Sequence, residues 1–420
     1  MTDTLLDRRE RLLGPRLTTF YDQPVHLVRG LGTKLWDAEG REYLDCYNNV
    51  PHVGHCHPRV VEAICAQAGT LNTHTRYLHD GIVNYADDLT STFADPLNAM
   101  MFTCTGSEAN DIALRMARAV TGHTGIIATD HTYHGNTDAV SQLSCTNPPP
   151  NRWDTVEFVP APDSYRPMSA QGWAGHVQAA IARLAAKGHG VAALIICPFF
   201  ANEGFPDLPQ GWVNPAIAAV RRAGGVIIAD EVQPGFGRLG THFWGHEKAG
   251  FLPEIVSLGK PMGNGHPVAG VVTERRVMEA FRDTFRYFNT FGGNPVSMAA
   301  AQATLDVIRD EGMQENAREV GDYARQELRD LAGKHACIGD VRGSGLFFGT
   351  ELVLDRDAKT PATEFTKKVA NALRHKGVLM NFLGIHYNVL KIRPPMVFSR
   401  ADADRMLKAV DAALSEVPLA

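Results

Sequence analysis

Apolar and polar positions follow two alternating patterns along most of the chain. Short apolar runs rich in β-branched residues, such as those in 226–231 and 255–260, are bounded by glycine or proline and predict buried strands. Between such runs, apolar residues recur at helical spacing, as at 211–223. From residue 58 to about residue 309 this alternation predicts a mostly parallel sheet flanked by helices, an α/β fold.

The two ends of the chain predict a second, smaller α/β unit. Residues 35–44 read as two short strands across an Ala-Glu-Gly turn, and a strong helix begins near Pro295. The later patterns predict helices at 313–332, 361–376 and 401–415 and strands at 346–353 and 389–393. We therefore expect an N-terminal segment at 1–57 that joins a C-terminal small domain at 311–420, and a large domain at 58–310.

Composition narrows the class of protein. The chain has 420 residues, 44% hydrophobic and 21% charged, with a formal net charge of −5, which is typical of a soluble enzyme with more than one domain. Without a basic run, we expect no nucleic-acid partner. The longest apolar run, at 191–200, is half the ~20 residues that a membrane-spanning helix needs. The first ten residues carry acids and lack the apolar core of a signal peptide, so we expect a cytoplasmic location.

Cysteine and histidine usage raises the question of a metal. Seven cysteines without a CxxC pair predict reduced thiols. The segment 51–58 contains His52, His55, Cys56 and His57, yet a single compact cluster seldom supplies tetrahedral geometry without ligands from elsewhere. No complementary cluster is evident, so we expect no metal site.

Two charged residues stand at the ends of predicted strands. Asp230 ends the run that begins at residue 226, and Lys260 ends the run that begins at residue 255. Open α/β sheets bind ligands in the crevice at such strand ends. There, an amine and a carboxylate suit pyridoxal phosphate, because the lysine forms a Schiff base and the carboxylate keeps the ring nitrogen protonated. Taken alone, each residue also fits an ordinary role, as a solvated loop lysine or a helix cap.

Upstream residues add a phosphate site and a stacking ring. Residues 105–107 form a small-residue turn that opens a helix, and free N–H groups at a helix start bind phosphate. The alternative is an ordinary helix start capped by Ser107 or Thr105. Tyr133 follows the apolar run 125–129 and is placed to stack on a cofactor ring, or to pack in the core.

Taken in this order, the motifs resemble those of the class III aminotransferases, which are fold type I pyridoxal-phosphate enzymes, from about Phe20 to about Ser399. The resemblance implies that Asp230 pairs with the ring nitrogen and that Lys260 forms the Schiff base. It also implies that Gly106 and Ser107 contact the cofactor phosphate. Tyr133 and Val232 are then expected on the two faces of the ring, and Gln233 at its phenolic oxygen. Thr290 lies in a segment that resembles the one reaching the neighbouring subunit's cofactor phosphate, which implies a homodimer or a larger even assembly.

Cofactor motifs alone do not separate transamination from β-elimination. Within the class, the segments 44–50, 71–80 and 259–267 resemble the ethanolamine-phosphate phospho-lyase branch. Arg76 is the most informative residue in them, because its planar charged fork suits a dianionic phosphate, although a surface ion pair is the alternative. The expected substrate is therefore a phosphorylated amine, O-phosphoethanolamine first. The candidate substrate-binding residues are Tyr21, Asn49, Arg76, Tyr77 and Arg393.

Two departures from related patterns keep other functions open. Many amino-acid aminotransferases carry an arginine three positions before the Pro-Pro pair, and here that position is Lys391. Lysine is a point charge and holds a carboxylate less exactly than arginine does. Arg393 lies on the same strand face and can bind the carboxylate in its place. An aminotransferase that moves an amino group from an amine or amino acid to a keto acid therefore remains the alternative. The segment 199–206 differs from the animal phospho-lyases. A non-catalytic cofactor-binding protein is disfavoured because Lys260 is present.

Overall fold

The computed structural model describes residues 4–145 and 148–419, so residues 1–3 of the N-terminal stretch lie outside it. The helices are α1 (Leu5–Leu13), α2 (Pro58–Ala68), α3 (Asp80–Thr90), α4 (Gly106–Thr121), α5 (Asp138–Ser141), α6 (Ala170–Ala186), α7 (Asn214–Arg222), α8 (Gly245–Ala249), α9 (Arg275–Thr284), α10 (Pro295–Asp310), α11 (Met313–Leu331), α12 (Thr363–His375) and α13 (Arg400–Glu416). The strands are β1 (Leu27–Leu31), β2 (Lys34–Asp37), β3 (Glu42–Asp45), β4 (Leu97–Thr103), β5 (Gly125–Thr129), β6 (Val156–Val159), β7 (Val191–Ile196), β8 (Val226–Asp230), β9 (Ile255–Leu258), β10 (Ala269–Glu274), β11 (Ile338–Ser344), β12 (Phe347–Asp355), β13 (Thr360–Pro361), β14 (Val378–Leu379), β15 (Asn381–Leu383) and β16 (Val389–Ile392).

A seven-stranded sheet forms the centre of the molecule, in the order β4-β10-β9-β8-β7-β5-β6. Strand β10 runs antiparallel to both of its neighbours, and the other pairs are parallel. Every residue of β5, β7, β8 and β9 is buried. Helices cover both faces of such a sheet, so its inner strands are apolar along their whole length. The predicted mostly parallel sheet is confirmed.

Smaller sheets form from the two ends of the chain. Strands β11, β12, β16 and β15 make an antiparallel sheet, with β13 paired to β12. Strands β1, β2 and β3 are antiparallel, and β3 pairs in parallel with β14 through Leu44–Val378 and Asp45–Leu379. The N-terminal segment is therefore hydrogen-bonded to the C-terminal part of the chain.

One apolar core crosses the boundaries between these parts. It includes Leu44 of β3, Val256 of β9, Phe348 of β12 and Val410 of α13, all fully buried. Because apolar burial dominates folding, a core shared in this way ties the parts together. The division at residues 57 and 310 stays a prediction. Within the described ranges, no helix combines the length and apolar character needed to cross a membrane.

Candidate active site

A cavity of about 350 Å³ opens at the carboxyl ends of the central strands. Parallel strands present their carboxyl ends at one edge of the sheet, so residues that follow different strands meet there. The structure brings together seven residues that the sequence predicts to contact a cofactor. They all line this cavity: Gly106, Ser107, Tyr133, Asp230, Val232, Gln233 and Lys260.

Asp230 is the last residue of β8 and is buried, 5% exposed. Its Oδ2 accepts hydrogen bonds from His134 Nδ1 at 2.6 Å and from Asn110 Nδ2 at 2.9 Å. Its Oδ1 accepts the Val232 N–H at 3.0 Å. Burial opposes ionisation, but the bond from His134, the charge of Lys260 and the bond from Asn110 outweigh it, so the pKa of Asp230 lies below its ordinary value. The aspartate is therefore held as a carboxylate.

Lys260 follows β9 and opens a short 3₁₀ turn, Lys260–Gly263. Asp230 is paired with Ser257 in the β8–β9 register, so the two charged residues stand on neighbouring strands. The Lys260 side chain is exposed to the open cavity, while the surrounding protein still desolvates its ammonium. Burial and the positive charge of Arg393 lower the pKa of Lys260, against the opposing effect of Asp230. The lowered pKa favours the neutral amine, which is the form that acts as a nucleophile or base.

The start of α4 forms the polar end of the cavity. Thr105 caps the helix, since its hydroxyl accepts the Glu108 N–H at 3.2 Å. The first N–H groups of a helix have no partner within it, so those of Gly106 and Ser107 are available to an anion. Gly135 packs against this turn with φ 142°, and a Cβ there would lie 2.6 Å from Ser107 Oγ. Only glycine fits that position. Both predicted features, the cap and the exposed turn, are thus present together.

Tyr133 and Val232 line the cavity from separate loops. Tyr133 follows β5 and is 49% exposed, whereas Val232 follows β8 and is 5% exposed. The tyrosine side chain is therefore available for contact with a ligand ring and is not absorbed into the core. Val232 also packs against the turn at residues 105–107. A Cβ added to Gly106 would lie only 3.1 Å from the methyl groups of Val232.

Gln233 has other partners than the predicted phenolic oxygen. Its Oε1 accepts from Lys391 Nζ at 3.0 Å and from Arg393 Nη1, and its Nε2 donates to Asn202 Oδ1 at 3.3 Å. Burial and Arg393 lower the pKa of Lys391 well below its usual range, and burial lowers the pKa of Arg393 to about 10. One amide oxygen therefore serves two buried cations that repel each other.

Six predicted site residues do not line this cavity: Tyr21, Asn49, Arg76, Tyr77, Thr290 and Arg393, of which Arg393 contacts the lining residue Gln233. Arg76, Tyr77 and Thr290 are exposed, and the guanidinium of Arg76 stacks 3.9 Å from the Phe288 ring. Arg76 and Phe288 line a different hollow, together with Asn289. Within one chain, the structure does not bring Arg76, Tyr77 or Thr290 to Lys260.

Tyr21 and Asn49 occupy different surroundings. Tyr21 donates its hydroxyl to the Met380 carbonyl at 3.1 Å and lines a groove beside α1. Asn49 is fully buried, and its amide N and O have no hydrogen-bond partner in the described part of the chain. A buried amide without hydrogen bonds costs free energy. Asn49 directly precedes the cavity-lining Val50, so a polar ligand of the cavity is a candidate partner for this amide.

Sequence reasoning assigned no role to several residues that the cavity uses. His134, which follows Tyr133, and Asn110, which lies in helix α4, both donate to Asp230 Oδ2 and hold it in place. The spacing of Asn110 from Gly106 is one helical turn, which signals that the two share a helix face. Glu203 also lines the cavity, where its carboxylate accepts from Thr129 Oγ1 at 2.5 Å and burial raises its pKa. It lies in the segment that departs from the animal phospho-lyases.

Comparison with known proteins now adds to this geometry. The family model described as aminotransferase class III matches residues 19–414. The chain belongs to the class III aminotransferase family. It is therefore a pyridoxal-phosphate enzyme of fold type I, which confirms the predicted fold and cofactor.

Individual relatives carry two kinds of name. A protein of Drosophila melanogaster named alanine--glyoxylate aminotransferase 2-like is 44% identical, over 97% of this chain and 85% of its own length. Ethanolamine-phosphate phospho-lyase homolog 1 of Caenorhabditis elegans is 37% identical, over 98% of this chain and 93% of its own length. The solved structure of a phospholyase from Arthrobacter in complex with phosphoethanolamine is 42% identical with a TM-score of 0.96, and the match covers 99% of this chain and all of that one.

Proposed function

We propose that this enzyme eliminates phosphate from O-phosphoethanolamine, or from a related phosphorylated amine, to give acetaldehyde, ammonia and phosphate. The observation that carries the proposal is the likeness over the whole chain to the Arthrobacter phospholyase structure that holds phosphoethanolamine. The Caenorhabditis elegans relative with a phospho-lyase name supports the same reaction.

The residues at the cavity fit pyridoxal phosphate. The helix start at Gly106 and Ser107 suits its phosphate, and the carboxylate of Asp230 suits its ring nitrogen. Tyr133 and Val232 are placed to contact the ring, and Lys260 offers the amine that attaches it. When bound, the cofactor supplies a sink for the electron pair of a C–H bond next to the substrate nitrogen.

The protein's own part in the reaction falls to Lys260. Its lowered pKa favours the neutral amine, so Nζ can accept the proton from the carbon next to the substrate nitrogen. The neighbouring C–O bond then breaks, and its electron pair leaves with phosphate. The two-carbon product keeps the nitrogen, and addition of water releases acetaldehyde and ammonia. No oxidant or keto acid enters this balance.

The surroundings of Lys391 favour a substrate without a carboxylate. Lys391 and Arg393 both donate to Gln233 Oε1, so a carboxylate would have to displace that amide before the two cations could clamp it. Displacement would leave buried polar groups without partners, which costs about 1–3 kcal/mol for each group. O-phosphoethanolamine has no carboxylate and leaves the Lys391–Gln233 bond intact.

Incubation with O-phosphoethanolamine in the absence of any keto acid tests the function. We expect phosphate and acetaldehyde in equal amounts, and none of either with Lys260→Ala. A strict requirement for pyruvate or another keto acid, or amino transfer from unphosphorylated amines with no phosphate release, would show an aminotransferase instead.

We also propose that the active unit is a homodimer or a larger even assembly. Large apolar side chains are exposed near Arg76 and Thr290: Val83 and Phe288 line the same hollow as Arg76, and Tyr77, Leu78 and Phe291 adjoin Arg76 or Thr290 in sequence. Exposed apolar side chains that cluster in this way are typical of an interface. Covering the partner's cavity with this surface would bring both Arg76 and Thr290 to the neighbouring site.

Mixing two inactive variants tests that arrangement. A dimer of one Lys260→Ala chain and one Arg76→Ala chain contains one site with both Lys260 and the partner's intact Arg76. If Arg76 acts across the interface, such mixed dimers should recover about half of the wild-type rate per dimer, one site of two. No recovery in purified mixed dimers would place Arg76 in its own chain's site, and a fully active monomer in sedimentation would contradict the assembly.

A further inference from the structure

The histidines of segment 51–58 make hydrogen bonds. His52 Nε2 donates to the Phe236 carbonyl at 2.8 Å, and His57 Nε2 lies 3.2 Å from Glu311 Oε1. His55 Nε2 donates to Asp45 Oδ2 at 2.7 Å. No group of three or more possible metal ligands is found within residues 4–145 and 148–419. Each ring thus has a separate protein partner, and the partner of His55 leads toward the cavity.

Asp45 is the anchor of the loop that runs from β3 to the cavity wall. Its carboxylate is fully buried and accepts the N–H groups of Tyr47 at 3.0 Å and Asn48 at 2.9 Å. It also accepts the Asn48 side-chain amide at 3.1 Å, so His55 is its fourth donor. Burying a carboxylate is costly unless its oxygens accept hydrogen bonds, as they do here. The loop conformation at 45–50 therefore depends on this one group.

The same loop holds Arg393. The backbone N–H of Arg393 donates to the Cys46 carbonyl at 2.8 Å, and its side-chain Nε donates to the Tyr47 carbonyl at 3.2 Å. These two carbonyls lie directly after Asp45, where its bonds set their direction. Arg393 Nη1 then reaches Gln233, a cavity-lining residue. A continuous chain of bonds thus runs from His55 through Asp45 and the loop to the Arg393 guanidinium.

We propose that His55 and Asp45 are positioning residues that fix the loop 45–50 and, through the Cys46 and Tyr47 carbonyls, aim the Arg393 guanidinium at the substrate phosphate. The inference rests on the proposed function, since it gives Arg393 a phosphate to bind. It adds a role for a histidine that touches neither cofactor nor substrate. A guanidinium binds phosphate through a planar fork, so a small rotation of Arg393 removes most of the benefit.

His55→Phe is the most informative variant. The ring packs over Gly30, where an added Cβ would lie 3.0 Å from it, and phenylalanine keeps a ring there without the donor. We expect KM for O-phosphoethanolamine to rise on the order of tenfold, as when a partner that orients a ligating side chain is lost, with kcat changed less than about twofold. His55→Gln can again place a donor near Asp45 and should restore most of the KM.

A double-mutant cycle separates positioning from a general structural effect. In an Arg393→Met background, His55→Phe should add little to KM, because the group through which it acts is gone. His57→Ala is the matched control, since His57 lies two residues away but faces Glu311 and not the loop. Its KM should equal that of the wild type. An independent, additive effect of His55→Phe, or a KM that His55→Phe leaves unchanged, would overturn the proposal.

A crystal structure of His55→Phe gives a readout that does not depend on the substrate. We expect the Arg393 Nε–Tyr47 O bond, 3.2 Å here, to be broken or rotated away. An Arg393 side chain that keeps its place refutes the positioning role, even if the enzyme releases phosphate. Conversely, wild-type enzyme that releases no phosphate refutes the proposed function, whatever the position of Arg393. Asp45→Asn, which turns one acceptor into a donor facing His55, should reproduce the displacement.

Discussion

His134 offers a direct test of how Asp230 keeps its charge. Replacing His134 with phenylalanine removes the 2.6 Å hydrogen bond to Asp230 Oδ2 and leaves the bond from Asn110. A hydrogen bond to a charged group contributes ~1.5–3 kcal/mol. Its loss should therefore raise the pKa of Asp230, because burial then opposes the charge with one donor fewer. The acid limb of the pH–kcat profile should move to higher pH.

The sign of the effect follows from the direction of the shift. In the wild type the folded-state pKa of Asp230 lies below its ordinary value of 3.8, so the carboxylate stabilises the fold above that pH. This contribution is lost as pH falls through the folded-state pKa, and His134→Phe should lose it at a higher pH.

Steady-state rates and thermal melts from below pH 3.8 up to pH 8 measure both consequences. His134→Asn should restore part of the wild-type profile, since its side-chain amide can donate from near the Nδ1 position. His242→Phe, a histidine outside the cavity lining, is the control. A cofactor-loaded His134→Phe enzyme with an unmoved acid limb would refute the view that His134 sets the protonation of Asp230.

Substitutions at three further residues test the assigned roles. Lys260→Ala should abolish turnover because anchor and base are both lost, and borohydride treatment of the yellow wild-type enzyme should label Lys260, with a label on any other lysine contradicting the assignment. Asp230→Asn should fold and bind cofactor but lose activity on the order of a hundredfold or more, so wild-type activity would exclude the electronic role. Arg76→Ala should lower kcat/KM for O-phosphoethanolamine by a factor that corresponds to ~2–5 kcal/mol and leave the cofactor absorbance unchanged. Arg76→Lys should recover only part of the lost kcat/KM, and a full recovery would argue against a role for the planar fork of arginine.

Periodic, strongly buried elements were predictable from the sequence. The predicted helix 313–332 is found at Met313–Leu331, and the predicted helix 401–415 at Arg400–Glu416. In both, one face packs into the core, so apolar spacing carries the signal. Helix α1 was missed because none of its residues is buried. Its signal is local, the capping box between Thr4 and Asp7.

Strand direction and side-chain partners were harder to predict. The run at Ala269–Glu274 is fully apolar apart from its end, which is equally compatible with a parallel strand, and only the pairing shows β10 to be antiparallel. Likewise, Gln233 was expected to face the cofactor oxygen. Its bonds to Lys391 and Arg393 arise because two buried cations need an acceptor. This requirement is not visible in the sequence, where Gln233 is separated from Lys391 by 158 positions and from Arg393 by 160 positions.

The charge of the cavity bears on the role proposed for Arg76. The proposed reaction requires the site to hold two phosphates, one on the cofactor and one on the substrate. Among the described residues that line the cavity, Lys260 is the only lysine or arginine, and its amine is needed for the chemistry. Arg393 is nearby, but its Nη1 and Nε are bonded to Gln233 and Tyr47, so it offers the substrate phosphate only part of its guanidinium fork and only one charge. A dianion held without further cations would be poorly stabilised in a partly desolvated cavity, which supports our proposal that the exposed Arg76 of a neighbouring subunit supplies the charge that one chain lacks.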